Sequence, residues 1–378
     1  MKVQGTLDAA ADRIMTAGKN GNLGSIVINP ESRRLLVYWK GEPPSDVRRI
    51  ANSMSSDLKA EILPAKHSRL ELLSSLDVTV KQLAKVGINV TEAAPLSDSS
   101  GISVSVLGDL DLAARITSAS HPEIPAQIKV GVANSLTREI ASSDENFIAP
   151  QKTTRIADVP LYWGGALYTY PNPTSVCSTG FGIKQNGLRR MLTAGHCGED
   201  GYVISMPDQS DGVGYVPVGT MSAKDKEHDT ILINMPAGDR MYTGGVLSGS
   251  SSKVTGAFGT YVGDYVCTSG ANSGQHCAGR VSAVDVSMQI QSVQLHGMAV
   301  AYGLDDGPML KSGDSGGPVM QFGLTGVIAK GTITGGGGML VQCWKNAPSK
   351  DCFNKLVFPP ITDTLDRYGA TLLIENSG

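Results

Sequence analysis

Gly313-Asp314-Ser315-Gly316-Gly317-Pro318 is the most informative stretch of this 378-residue chain. Glycines flanking a serine permit a tight turn that residues with side chains adopt only under strain. Such a turn aims the backbone N–H groups of Gly313 and Ser315 at one point, where a developing oxyanion can be held. The string also fits Gly-x-Ser-x-Gly, the nucleophile elbow of α/β-hydrolases. That fold places its acid and then its histidine after the serine. The six histidines here stand at 67, 121, 196, 228, 276 and 296, and none follows Ser315. Strands and helices do not alternate around the serine either, so an elbow-type lipase or esterase is disfavoured. A zinc protease is disfavoured too, because His-Glu-x-x-His does not occur.

Working outward, two upstream pieces complete the chemistry. Leu192-Thr193-Ala194-Gly195-His196-Cys197 brings a histidine after an apolar pair and small residues. His228-Asp229-Thr230-Ile231-Leu232-Ile233 puts an acid at the head of an apolar strand, where a carboxylate persists only if it is paired or hydrogen-bonded. Amide hydrolysis by a serine needs a base to take the hydroxyl proton and return it to the leaving amine. It also needs a carboxylate to orient that base, and donors for the oxyanion. His196, Asp229 and Ser315 are the candidates for base, orienting acid and nucleophile. Each of the first two pieces also has a structural reading by itself; their joint presence, in this order, points to catalysis.

The surrounding sequence agrees with a β fold. From Tyr162 onward, short apolar runs such as Gly180–Ile183, Thr230–Ile233, Val281–Val286, Val319–Gln321 and Gly331–Thr334 are broken by Gly, Ser, Asn and Pro. The pattern predicts an all-β barrel or sandwich, with one short helix over Ile361–Tyr368 after Pro359-Pro360. Residues 1–150 read differently. Strands are expected at Ser25–Ile28, Leu35–Trp39 and Ile102–Val106, with a weaker one at Gln127–Val132. One helix opens after Pro43-Pro44-Ser45. A second starts at Ser68 with Glu71 completing a capping box, and stops at Gly87. This is a small α+β domain without a cluster suggestive of chemistry; His67 and His121 read as surface or packing residues. Nine of the 45 glycines fall in residues 1–150 and 36 beyond, and all six cysteines lie beyond. The domains are therefore placed at 1–150 and 151–378, with Glu145–Pro160 an exposed linker suited to a processing cut.

The cysteines form three local couples, Cys177 with Cys197, Cys267 with Cys277, and Cys343 with Cys352. None has the C-x-x-C spacing of a zinc site. An even count at short spacing suggests disulfides and an oxidising compartment; six reduced structural cysteines are the alternative. The formal net charge is −3 with no long run of one sign, which gives no footprint for a nucleic acid. No segment reads as a membrane span or, from Met1 to Asn20, as a signal peptide. No cofactor is expected, and no acidic loop demands a metal ion.

Residues from about 160 to 373 resemble the chymotrypsin-like serine proteases, and within them the bacterial streptogrisin-like branch. The resemblance rests on the three pieces above and on Cys177-Ser178-Thr179-Gly180-Phe181 followed by Ala194-Gly195-His196-Cys197. It extends to Val266-Cys267-Thr268-Ser269-Gly270 with His276-Cys277, and to Phe358-Pro359-Pro360-Ile361-Thr362 with Tyr368-Gly369. It implies two antiparallel six-stranded β-barrels, and a secreted, monomeric serine endopeptidase acting on protein or peptide substrates. Residues 1–150 sit where the branch carries a pro-region that assists folding and inhibits until removed. The resemblance further makes Met309, six before the serine, the base of the specificity pocket. It makes Thr334-Gly335-Gly336 the edge against which substrate pairs as an added strand. Lys311 stands where many relatives carry a cysteine, and the third cysteine couple lies in a later loop. Asp314 is expected to be buried and to need a cationic or donor partner, which the sequence does not identify. A protease fold that has become a catalytically silent binding module is the rival reading.

Overall fold

The computed structural model describes residues 2–18, 21–132, 154–170, 172–208, 214–290, 293–344 and 351–374. They form two compact units. One comprises Met1–Asn134 with Gly259–Asp264 and Arg280–Val300; the other comprises Ser135–Phe258, Tyr265–Gly279 and Ala301–Gly378.

In the first unit, the helix Lys2–Gly18 packs Leu7, Ala10, Ala11 and Ile14 against a sheet of Leu23–Asn29, Arg34–Trp39 and Lys59–Pro64. That helix was not anticipated, because Asp8, Asp12 and Arg13 interrupt its apolar stripe. The helix Ser45–Asn52 adds Val47 and Ile50 to the same core. The capping box at Ser68 and Glu71 opens the helix Arg69–Lys85, and Gly87 follows it at φ 77°. Leu72, Leu76, Val80 and Leu83 then pack with Val90, Val104 and Val106 of the strands Asn89–Pro95 and Ile102–Leu107. The later segments belong to this unit by direct contact. Tyr261 lies in the first core, the Ile28 N–H donates to the Val262 carbonyl at 2.8 Å, and Arg69 Nε donates to Asp285 Oδ2 at 2.6 Å.

The second unit is built almost wholly of strands. One sheet runs in the order Ala370–Leu372, Gly182–Gln185, Leu188–Ala194, Thr230–Asn234, Tyr215–Asp225, Val203–Pro207, Leu167–Tyr170 and Asn172–Ser178. The two-residue period of a strand feeds two cores at once. Along Thr230–Asn234, Ile231 and Ile233 enter one cluster with Tyr168, Met191 and Met221. Leu232 enters another with Phe181, Leu192 and Met320. The continuous apolar run is thus a strand buried on both faces. The helix Ile361–Tyr368 covers the second cluster through Ile361, Leu365 and Tyr368, and ends at Gly369 in the left-handed region. All three cysteine couples are disulfides. No described helix is long and apolar enough to cross a membrane.

One expectation is corrected here. Residues 145–153 lie outside the described residues, but Thr154, Arg155, Ile156, Ala157 and Asp158 are buried, not exposed linker. Both ionisable side chains are hydrogen-bonded where they are buried. Arg155 donates to three carbonyls and a hydroxyl, and Asp158 accepts from Tyr242 and the Val159 and Trp163 amides.

Candidate active site

His196 lies on the single turn Gly195–Cys197 that directly follows the strand Leu188–Ala194. Asp229 precedes the neighbouring strand Thr230–Asn234. Register pairs Ala194 with Thr230, so sheet hydrogen bonding itself brings acid and base together. The Asp229 carboxylate accepts the His196 backbone N–H at 2.7 Å, and its Oδ2 lies 2.9 Å from His196 Nδ1. Both side chains are largely buried, at 13% and 6% exposure for histidine and aspartate. A buried carboxylate at Nδ1 selects the tautomer with the proton on that nitrogen, which leaves Nε2 as the basic lone pair. Asp229 holds φ at 50°, a left-handed conformation costing a non-glycine residue on the order of 1 kcal/mol. The adjacent His228 takes no part: it pairs with Asp225, 2.9 Å from Nδ1 to Oδ2.

Ser315 occupies a turn in which Gly313 and Gly316 both have positive φ, 88° and 86°. A Cβ on Gly316 would fall 2.1 Å from Thr193 Oγ1, so that position admits no side chain. The Asp314, Gly316 and Gly317 amides donate to the Lys311, Ile333 and Asp314 carbonyls. Among the described residues, the Gly313 and Ser315 amides have no acceptor, which leaves two donors on one turn for an oxyanion.

The turn is tied to His196 through Cys177–Cys197. Cys197 follows His196. Ser178, next to Cys177, gives its N–H to the Ser315 carbonyl at 2.8 Å and its hydroxyl to the Gly313 carbonyl at 2.9 Å. The same disulfide puts two sulfurs within metal-ligating distance of His196, but a disulfide offers no thiolate.

Asp314 is fully buried, and burial pushes its carboxyl upward. Its donors are the Lys311 amide at 2.8 Å and the Asn272 and Ser273 amides, each at 3.0 Å. Asn272 in turn gives its side-chain amide to the Ser312 carbonyl at 2.7 Å. His276 donates Nε2–H to the Ser273 carbonyl at 2.7 Å and stacks on Trp344 at a 3.4 Å centroid separation. Burial holds its pKa down at about 4, so it is neutral at neutral pH. Ser178, Asn272 and Ser273 carry no signature in a single sequence; they are found only by following the hydrogen bonds of the turn.

Met309 is fully buried, with its amide on the Phe353 carbonyl and its carbonyl on the Thr268 hydroxyl, both at 2.7 Å. Thr334 donates its N–H to the Val357 carbonyl at 3.0 Å. Gly335 and Gly336 begin the strand Gly335–Val341, which pairs on one side with Cys352–Phe358. Its other side has no strand partner among the described residues.

Comparison with known proteins returns no matching family model. Among curated proteins, the chain is 29% identical over 217 residues to streptogrisin-A of Streptomyces griseus, covering 57% of this chain and 62% of the relative. It is 27% identical over 218 residues to streptogrisin-C of the same organism, covering 57% of this chain and 42% of the relative. The chain thus spans about half the length of the curated relatives it matches. Solved structures similar to it include Thermobifida fusca protease A, at 25% identity and TM-score 0.43, covering 56% of this chain and 98% of the other. Cellulomonas bogoriensis chymotrypsin matches at 25% identity and TM-score 0.42, with the same coverage. Over that part of its length, the chain is similar in sequence to the streptogrisins.

Proposed function

We propose that the chain is a secreted serine endopeptidase that cleaves peptide bonds through His196, Asp229 and Ser315. The observation that carries this reading is the Asp229 carboxylate, which binds both the His196 amide and its Nδ1 beside a turn with two spare amide donors. In the proposed cycle, His196 Nε2 takes the Ser315 hydroxyl proton as Oγ attacks the substrate carbonyl. The Gly313 and Ser315 amides stabilise the oxyanion. Imidazolium then protonates the leaving amine, and water releases the acyl group by the same route. Substrate pairs as a strand along Gly335 and Gly336, with Thr334 behind it and Met309 at the base of the pocket. The strands of the second unit supply the two β-barrels of this reading, residues 151–378 its protease domain.

Residues 1–150 serve in this reading as a pro-region that assists folding and inhibits. Support comes from the packing of residues 2–132 with residues 259–264 and 280–300 in one compact unit, including the Arg69–Asp285 pair. Ser315→Ala is expected to abolish turnover while leaving the three disulfides and the fold intact. Retained peptidase activity in that variant would sink the proposal. Failure of the wild type to react with a serine-directed phosphonate in any processed form would favour a silent binding module.

A further inference from the structure

Arg155 has 0% exposure, and it comes from the segment the sequence marks as linker. Its Nη1 donates to the Gly270 carbonyl at 2.7 Å, to Ser269 Oγ at 3.2 Å and to the Gly165 carbonyl at 3.3 Å. Its Nη2 donates to the Gly244 carbonyl at 3.0 Å. Every acceptor is neutral. A buried guanidinium with only neutral acceptors costs several kcal/mol unless an opposite charge stands nearby. Burial lowers its pKa to about 10, and the foremost influence opposing that is the charge of Asp314.

The two charges do not touch; they hold opposite ends of one loop. Arg155 binds residues 269 and 270 through oxygen acceptors. Asp314 binds the amides of Asn272 and Ser273. The carboxylate fits because Gly270 has no side chain: a Cβ there would lie 2.1 Å from Asp314 Oδ1. From the middle of the loop, the Ala271 amide donates to Ser178 Oγ at 2.9 Å, and that hydroxyl donates to the Gly313 carbonyl at 2.9 Å. Asn272 reaches the Ser312 carbonyl. The loop therefore buttresses the residues immediately before Ser315, and Arg155 anchors its far end.

Around Arg155 the segment is fastened by its own bonds. The Leu167 amide donates to the Arg155 carbonyl at 2.6 Å, and Asp158 accepts Tyr242 Oη–H and the Trp163 amide, each at 2.7 Å. We infer that Arg155 is a positioning residue for the oxyanion turn, so the active enzyme retains residues 155–163 and any activating cut falls before Arg155. This rests on the proteolytic reading above. It places the anchor of the loop that binds Asp314 in the chain leading into the protease strands, so a cut after Arg155 would remove part of the machinery.

The test uses the full chain, expressed under oxidising conditions. Wild-type protein labelled at Ser315 by a peptide phosphonate is expected to begin, by N-terminal sequencing, at or before Arg155. A fully reactive labelled species beginning after Arg155 overturns the inference. In Arg155→Met, kcat is expected to fall at least tenfold with KM changed less than twofold, and Arg155→Lys to recover part of the loss. Independently of turnover, amide exchange at Asn272 and Ser273 is expected to quicken in Arg155→Met or, if that variant misfolds, in Arg155→Lys. The Thr230–Asn234 strand should stay protected. Unchanged kcat and unchanged loop exchange overturn the inference. A wild type that is neither labelled nor active would fell the proteolytic reading alone, and the exchange result would still decide the role of Arg155.

Discussion

The proposed base and the proposed nucleophile of this site are held in opposite ways. His196 is held by one short direct pair with Asp229, made as soon as Ala194 and Thr230 fall into register. Ser315 sits on a turn with no ion pair of its own. The turn is steadied by neutral amides and hydroxyls of Ser178, Asn272 and Ser273, and by two buried charges acting across a loop. A direct pair localises the cost of losing it. A distributed clamp spreads that cost over several residues, each of which contributes less.

That difference ranks the expected effects. Removing the proposed nucleophile by Ser315→Ala should cost about a million-fold in kcat, measured on a peptide amide substrate. Asp229→Asn should leave the fold in place but release the histidine tautomer, for a loss of about 10⁴-fold, or roughly 5.5 kcal/mol of transition-state stabilisation. On the other side, Asn272→Ala removes only the donor to the Ser312 carbonyl. Its expected cost is smaller, about 10- to 100-fold in kcat, because the Asn272 backbone amide stays on Asp314. If Asn272→Ala cost as much as Asp229→Asn, the turn would be held at one point and the contrast would be wrong.

The smallest effect is one of pH. Burial holds the His276 pKa at about 4 in the folded chain, against an ordinary value of 6.5. Below pH 6.5 the unfolded chain binds a proton that the folded chain refuses until about 4. Its contribution to stability is therefore full above pH 6.5 and is lost as pH falls from there towards 4. His276→Gln should flatten that part of the stability profile in denaturant titrations. An unchanged slope would mean that the Trp344 stack does not exclude water from the imidazole.

The halves of the site were unequally legible in the sequence for the same reason. Gly313–Pro318, the histidine piece and the acid at the head of an apolar strand are local strings, and local strings survive in one dimension. The capping box at Ser68 and the helix Ile361–Tyr368 were legible likewise, since caps and prolines act within a turn. The support of the turn was not legible. Ser178, Asn272 and Arg155 are 135, 40 and 115 positions from their partners Gly313, Ser312 and Gly270, and each is an ordinary residue in an ordinary context. Arg155 was further disguised by a polar neighbourhood that reads as linker until its hydrogen bonds are traced. The helix Lys2–Gly18 was missed because Asp8, Asp12 and Arg13 break its stripe, although Asp8 is itself buried.

The most direct test of the central claim is reaction of the oxidised protein with a peptide phosphonate, followed by mass mapping of the labelled peptide. Serine hydrolysis through this site predicts one adduct, on Ser315, formed at a rate that falls by orders of magnitude in Asp229→Asn and vanishes in Ser315→Ala. An adduct elsewhere, or equal labelling of wild type and Asp229→Asn, would contradict it.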